Sequence, residues 1–319
     1  MVSLTDLEAA AEVVYSVLSP TAQICWPLLS ARCGCEVWVK HENHTPIGAF
    51  KVRGGLVYLD YLRRTHPRVP GVITATRGNH GQSIGFAARR LGLPAVVVVP
   101  HGNSTEKNAA MRALGAELIE HGHDFQAASD HAVTLAHVRG LHRIPSFHPM
   151  LVQGVASYSL EFLRAVPDLD TVYVPVGMGS GICGMVVARN ALRLGTRIVG
   201  VVAENAPAYA LSFNSRERIA TATADTVADG VACRVPDPEA LAVMFHGVER
   251  MVTVSEAEIR AAMRHYFTDT HNVAEGAGAA PLAALLKERE ATAAKRVGLV
   301  LSGGNVDREL FAQVLRTED

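Results

Sequence analysis

Apolar runs of strand length alternate along this chain with stretches of helical period. The strand-like runs are Val37–His41, Val69–Ala75, Ala95–Val99 and Glu117–Glu120, then Val172–Val176, Ile198–Ala203, Met251–Val254 and Val297–Leu301. Several are almost wholly apolar, as parallel strands covered on both faces must be. Helical stretches fall between them, at about 51–64, 80–90, 105–114, 124–139, 181–193, 256–267 and 276–289. Ser255 and Glu258 have the spacing of a capping box at the start of the 256–267 helix. Strand, short loop, helix and strand again is an α/β pattern, and its crossovers favour parallel sheets.

The length of 319 residues predicts two domains at about 150 residues each. The polar, proline-bearing stretch from His142 to Pro149 marks the break. Residues 46–148 form one small α/β unit; residues 1–45 plus 149–319 form the larger one, whose sheet recruits the N-terminal segment. Nothing follows residue 319 to make an appended regulatory domain, so feedback control through one is not expected.

Charge narrows the function classes. Thirty basic residues face 31 acidic ones with no basic stripe, which gives no support to nucleic-acid binding. No apolar run is long enough to span a bilayer, and the N-terminus lacks a basic head with a long apolar run. Five cysteines without a regular framework argue against a secreted disulfide scaffold. Cys33 and Cys35 have no second close pair to complete a metal site and, with Cys25, read as small buried hydrophobes. A cytoplasmic protein is expected. Only Lys40, Lys51, Lys107, Lys287 and Lys295 are lysines, which leaves few candidates for lysine chemistry.

Four segments carry candidate chemistry, each where a strand hands over to a loop or helix. In Gly48-Ala49-Phe50-Lys51-Val52-Arg53-Gly54 a lysine opens a helix, where the amide dipoles oppose a cation and favour the neutral amine. An ordinary solvated lysine fits the same pattern. In Thr76-Arg77-Gly78-Asn79-His80 a turn after an apolar strand opens a helix, and its backbone N–H groups can receive an anion. A plain capped turn fits too. In Gly177-Met178-Gly179-Ser180-Gly181 alternate glycines allow a phosphate nest or, with Glu204 ending the next strand, a dinucleotide site. In Ser302-Gly303-Gly304-Asn305 a hydroxyl stands at the carboxyl edge of the last buried strand, where α/β sheets bind ligands, or else caps a helix from 306 onward.

In this order, the four segments resemble those of a fold-type II pyridoxal-phosphate enzyme of the threonine dehydratase and serine racemase group, over residues 20 to 315. Gln153-Gly154, Ala228-Asp229-Gly230 and Glu275-Gly276-Ala277-Gly278 fall between them in family order. The resemblance implies two three-layer domains with mostly parallel sheets, like the tryptophan synthase β subunit, and an active site in the cleft between them. It implies pyridoxal 5'-phosphate bound through Lys51 beside Phe50, with Asn79 on the cofactor's ring oxygen. Gly177, Met178, Gly179, Ser180 and Gly181 would cradle the phosphate. Ser302 would meet the pyridine nitrogen, and Glu275 would face the ring. Thr76, Arg77, Asn79 and His80 would hold the carboxylate of an amino-acid substrate. A homodimer is expected.

Departures from the family pattern refine the expected reaction. Arg77 replaces the serine that serves as second base in the racemase pattern, and an arginine is a poor proton donor. Of the divalent-metal ligands of racemase-like members, Glu204 and the carbonyl of Ala208 match, but the third position is Ala210, so no metal is expected. Ile47 and Ala49 replace two hydroxyls, which points towards a bulky apolar β-substituent such as that of 3-phenylserine. The expected function is a dehydratase (ammonia-lyase) turning a β-hydroxy-α-amino acid of the threonine or serine type into a 2-oxo acid and ammonia. A 3-hydroxyaspartate dehydratase, an amino-acid racemase and a β-replacement synthase of the same fold are the near alternatives. A nicotinamide-dependent oxidoreductase and a non-catalytic binding protein are the distant ones.

Overall fold

The computed structural model describes residues 2–317. Its strands are β1 (Gln23–Cys25), β2 (Glu36–His41), β3 (Val72–Ala75), β4 (Ala95–Val99) and β5 (Glu117–Glu120), then β6 (His142–Arg143), β7 (Thr171–Pro175), β8 (Arg197–Ala203), β9 (Arg250–Val254) and β10 (Arg296–Leu301). They form two sheets. The six-stranded one runs β1-β2-β10-β7-β8-β9 and the four-stranded one β5-β4-β3-β6. Every pairing is parallel except that of β1 with β2. This is the mostly parallel α/β architecture expected from the apolar runs.

The helices are α1 (Leu4–Tyr15), α2 (Pro27–Cys33), α3 (Lys51–Thr65), α4 (Asn79–Arg90), α5 (Thr105–Ala113), α6 (Phe125–Arg139) and α7 (Pro149–Ala165). After them come α8 (Ser180–Ala191), α9 (Ala208–Ser215), α10 (Pro238–Gly247), α11 (Glu256–Thr270), α12 (Gly276–Lys287), α13 (Arg289–Thr292) and α14 (Arg308–Arg316). The capping box of Ser255 and Glu258 is present at the start of α11. Helix α12 is buried from Gly276 to Leu285, as a helix without a polar face must be. Cys33 and Cys35 are buried near it, as small hydrophobes.

Several elements differ from the pattern reading. The strand expected from Val69 begins at Val72, because Pro70 has no N–H to give the ladder and Val69 closes a turn onto the carbonyl of His66. Strands β1 and β6 have three and two residues, too few to display a period. Helices α1, α2, α7, α9, α10, α13 and α14 carry no expectation from the apolar period. Three of them, α2, α7 and α10, open with proline at the first turn, which is a start signal in its own right. Asp307, not Ser302, precedes α14.

A buried charge network ties α3 to the large sheet. Arg53 donates from Nε and Nη2 to both oxygens of Glu42 at 2.7 and 2.9 Å. It also donates from Nη1 and Nη2 to Glu161 of α7 at 2.6 and 3.0 Å. Lys40 of β2 completes the set by pairing with Glu161 and donating to the carbonyl of Thr21. Two cations and two carboxylates are thus enclosed together, with Arg53, Glu42 and Lys40 wholly out of solvent.

Candidate active site

Three loops leave the carboxyl ends of parallel strands, where α/β sheets place ligands. Thr76 follows β3, Gly177 follows β7 by one residue, and Ser302 follows β10. The start of α3 is stitched to the last of these. Ala49 bridges Gly303 in antiparallel fashion, Phe50 N–H donates to Ser302 O at 3.0 Å, and Gly304 N–H donates to Gly48 O at 2.9 Å. Lys51 is therefore fixed against the segment of Ser302 although 251 positions separate them in the chain (302 minus 51).

Lys51 Nζ lies 3.4 Å from Ser180 Oγ, the first residue of α8, and 5.0 Å from the centre of the Phe50 ring. No carboxylate pairs with it. Burial therefore pushes its amine down to about 8, with Glu275 pulling weakly the other way. Burial, aided by Lys51, also drives His80 down to about 3, so its ring is neutral. The His80 Nε2 atom is buried with no protein partner.

Asn79 stands at the centre of a second cluster. Its Nδ2 donates to Glu275 Oε1 at 2.8 Å, and its Oδ1 accepts from Asn305 Nδ2 at 2.8 Å. Asn305 Nδ2 also donates to the carbonyl of Ile47 at 2.8 Å. Glu275 Oε2 is buried and has no protein partner. Burial raises Glu275 to about 7; Lys107 opposes that rise, Asp229 adds to it, and Asn79 and Lys51 oppose it further.

The glycine loop between β7 and α8 leaves a concave, side-chain-free wall. Gly179 has φ +99°, and a Cβ there would approach that of Ala240 to 2.7 Å, so only glycine fits. A Cβ on Gly177 would collide with the carbonyl of Gly230. Tyr209 pins the loop from behind: its hydroxyl donates to Met178 O at 3.0 Å and accepts from Asp237 N–H at 2.9 Å. Tyr158 OH donates to Gly181 O at 3.2 Å and packs edge-on against Phe50.

Lys51, Phe50, Asn79, Ser180, Glu275 and Ser302 thus come together, as the motif order implied. Thr76 is buried, and its hydroxyl accepts from Gly78 N–H at 2.9 Å, so part of its polarity goes into shaping the turn. Arg77 is half-buried, and no ion pair or hydrogen bond of its side chain occurs among the described residues. Glu204 is exposed at the end of β8.

Of the two apolar residues that replace hydroxyls before Lys51, Ile47 alone joins a core cluster. Ile47 packs in a core cluster with Val52 and Leu56, and Ala49 is fully buried with its methyl towards Gly303. The apolarity of Ile47 therefore serves packing beneath the loop, which the alternation around Lys51 does not reveal. Tyr209 and Lys107 were not singled out for the site, because each reaches it from an element remote in sequence.

Comparison with known proteins agrees with this geometry. Residues 16–303 match the model of the family described as "Pyridoxal-phosphate dependent enzyme". The L-threonine ammonia-lyase of Thermotoga maritima is 32% identical over 99% of this chain and 78% of its own. The catabolic L-threonine dehydratase TdcB of Escherichia coli K12 is 33% identical over 89% of this chain and 87% of its own. Among solved structures, a pyridoxal 5'-phosphate-dependent aspartate racemase superposes with TM-score 0.92 at 29% identity, covering 98% of each chain. Threonine deaminase isoform 2 of Solanum lycopersicum follows at 0.91 and 30%, covering 98% of this chain and 91% of its own. The chain is a fold-type II pyridoxal-phosphate enzyme and belongs to that family. Its relatives are the lyases of the threonine dehydratase group.

The residues present fit the cofactor. The glycine wall at the N-terminus of α8 suits a phosphate, since unpaired amides there attract anions. The orphaned His80 Nε2 and Glu275 Oε2 are polar atoms that a bound group would face. Lys51 offers the amine. Because that amine loses its proton near 8, capture of the cofactor by the cofactor-free protein should accelerate about tenfold per pH unit below 8 and level off above it. Stopped-flow absorbance across pH 6–10 measures this. A flat profile, or an inflection at the ordinary lysine value, would contradict the burial of Lys51.

Proposed function

We propose that the protein is a dehydratase (ammonia-lyase) acting on a β-hydroxy-α-amino acid. The observation that carries this reading is that Arg77 and a neutral His80 stand on the turn expected to supply a second base to Lys51. Racemisation needs groups that exchange protons on both faces of the α-carbon. Here His80 is held neutral with its titration near 3, and Arg77 is permanently charged. Lys51, its amine pushed down to about 8, can both take and return a proton, whereas Glu275, raised to about 7, is engaged by the amide of Asn79 at 2.8 Å.

Pyridoxal phosphate, when bound, supplies an aldehyde for the lysine amine and a ring that draws electrons from the α-carbon of an amino acid. The chain's residues do the rest. Gly177, Met178, Gly179, Ser180 and Gly181 hold the phosphate, with Tyr209 keeping their loop rigid. Asn79, fixed between Glu275 and Asn305, orients the ring from its oxygen side. Ser302 offers the pyridine nitrogen a neutral hydrogen bond. Phe50 packs beside Lys51 and keeps water from its amine. Thr76, Arg77, Asn79 and His80 receive the substrate carboxylate, and Lys51 Nζ takes the α-proton. The β-hydroxyl then leaves as water, taking the proton that Lys51 holds, and hydrolysis of the dehydrated product gives a 2-oxo acid and ammonia.

The substrate is of the threonine or serine type. A second reading, 3-hydroxyaspartate, is favoured by Arg77, a half-buried guanidinium with no carboxylate of its own. A third reading, a bulky substituent such as that of 3-phenylserine, loses the support of Ile47, which packs in the core, and rests on Ala49, whose methyl lies at Gly303 beside Glu275. Ammonia release from L-threonine, L-serine, L-threo-3-hydroxyaspartate and L-threo-3-phenylserine separates these. Arg77→Ala should reduce turnover of hydroxyaspartate about tenfold or more beyond its effect on threonine if the second carboxylate is gripped. Phenylserine turned over far above all others would overturn both readings.

The same proposal takes residues 46–148 as the small domain and 1–45 plus 149–319 as the large one. The separate four- and six-stranded sheets support it. It also places a homodimer in the cytoplasm; five free thiols support that location. No helix among the described residues is long and apolar enough to cross a membrane.

A further inference from the structure

Lys107 lies outside the four cofactor segments, yet its side chain runs through the site. It leaves the first turn of α5, beside the four-stranded sheet, and its ammonium pairs with Asp229 on the turn that precedes α10. On the way its methylenes pass under Gly78. A Cβ at position 78 would come within 2.6 Å of Lys107 Cδ, so the chain at 78 rests directly on the lysine stem. The next residue is Asn79, whose amide holds Glu275. Two more contacts dock the start of α5 on the segment before α14: Ser104 Oγ donates to Asp307, and Glu106 Oε1 accepts from Arg308 N–H at 3.0 Å.

We propose that Lys107 is a positioning residue of the active site, which by pairing with Asp229 across the cleft keeps the Gly78–Asn79 turn seated on Glu275. The pair is mostly removed from water, with 9% of the Lys107 side chain and 28% of that of Asp229 exposed. Losing either partner leaves a poorly solvated charge beside Glu275, and the turn above loses its support. A displacement of about 1 Å at such a turn costs on the order of 100-fold in rate.

Electrostatics distinguishes this role from mere packing. The groups that face Glu275 are Asn79 at the start of α4, Lys51 at the start of α3, Lys107 on α5 and Asp229 on the turn. Lys107 favours the Glu275 carboxylate and Asp229 disfavours it. Removing the two charges should therefore move the Glu275 titration in opposite directions. A structural defect common to both would move it one way.

The test uses Lys107→Met, Asp229→Asn and the double variant in the full-length holoenzyme, with amide hydrogen exchange also followed without cofactor. Each single variant should lower kcat about 10- to 100-fold, and the double should be no worse than the poorer single. The acid limb should rise by about one unit in Lys107→Met and fall in Asp229→Asn. Amides of 105–113 and 228–231 should exchange faster in every variant, with or without cofactor. Unchanged kcat and exchange, or acid limbs that shift the same way, would overturn the proposal. If Lys107→Met does not fold, the downward shift in Asp229→Asn still decides it. The inference rests on the cofactor site and not on the choice of substrate. If no panel amino acid turns over, the limbs are read from the pH dependence of the cofactor's absorbance band.

Discussion

Replacing Lys51 by alanine should lower turnover by at least about 10⁴-fold if, as proposed, the residue is both the cofactor's attachment point and the base that moves the α-proton. The five lysines make this prediction sharp. Lys40 pairs with Glu161, Lys107 with Asp229 and Lys287 with Glu258, while Lys295 is half-buried and donates to the carbonyl of Ala291 at 2.6 Å. Among the described residues Lys51 is the lysine whose amine meets neither a carboxylate nor a carbonyl, only the Ser180 hydroxyl and the Phe50 ring. Borohydride reduction followed by peptide mapping should find the cofactor on Lys51 in the native protein and on no residue in Lys51→Ala. A small primary amine should restore part of the activity. Activity above one per cent of native without added amine, or cofactor trapped on another lysine, would reject the assignment.

The largest effect on stability should come from Arg53. Its guanidinium satisfies Glu42 in bidentate fashion and Glu161 through two more bonds, and it also donates to Ser157 Oγ at 3.0 Å. Arg53→Met strands two carboxylates against Lys40 alone. Breaking a buried pair in this way costs about 3–5 kcal/mol. Arg53→Lys should recover little of the loss, since an ammonium cannot reproduce the planar fork. Asp60→Ala on the same helix, where the pairs with Arg63 and Arg64 are exposed on the arginine side, should cost less than about 1 kcal/mol. Urea denaturation of the three variants makes the comparison. A loss below that of Asp60→Ala would mean that water reaches the network.

The parts of the site legible in sequence are those made by short contiguous segments. A strand, a glycine-rich turn and a helix start lie within ten residues of each other at Gly78, at Gly177 and at Lys51, so local pattern and order suffice to assign them. The structure places these loops together because parallel strands put their carboxyl ends on one side. Contacts between remote elements leave no such trace. Lys107 and Asp229 are 122 positions apart, and neither stands in a distinctive pattern. Tyr209 reaches the phosphate loop from α9, a helix with almost no amphipathic signal. Ile47 shows the same limit: a missing hydroxyl beside Lys51 is visible in sequence, but the packing of its side chain with Val52 and Leu56 is not.

The most direct test of the central claim follows the fate of the α-carbon. The holoenzyme is incubated in deuterated water with L-threonine, L-serine or L-threo-3-hydroxyaspartate, and ammonia, 2-oxo acid and the chirality and deuterium content of recovered amino acid are measured together. The account predicts ammonia and 2-oxo acid in equal amounts, matching substrate lost, with recovered amino acid still L. Recovered amino acid that is deuterated and racemised, with little ammonia, would contradict it, because a second base would then act opposite Lys51.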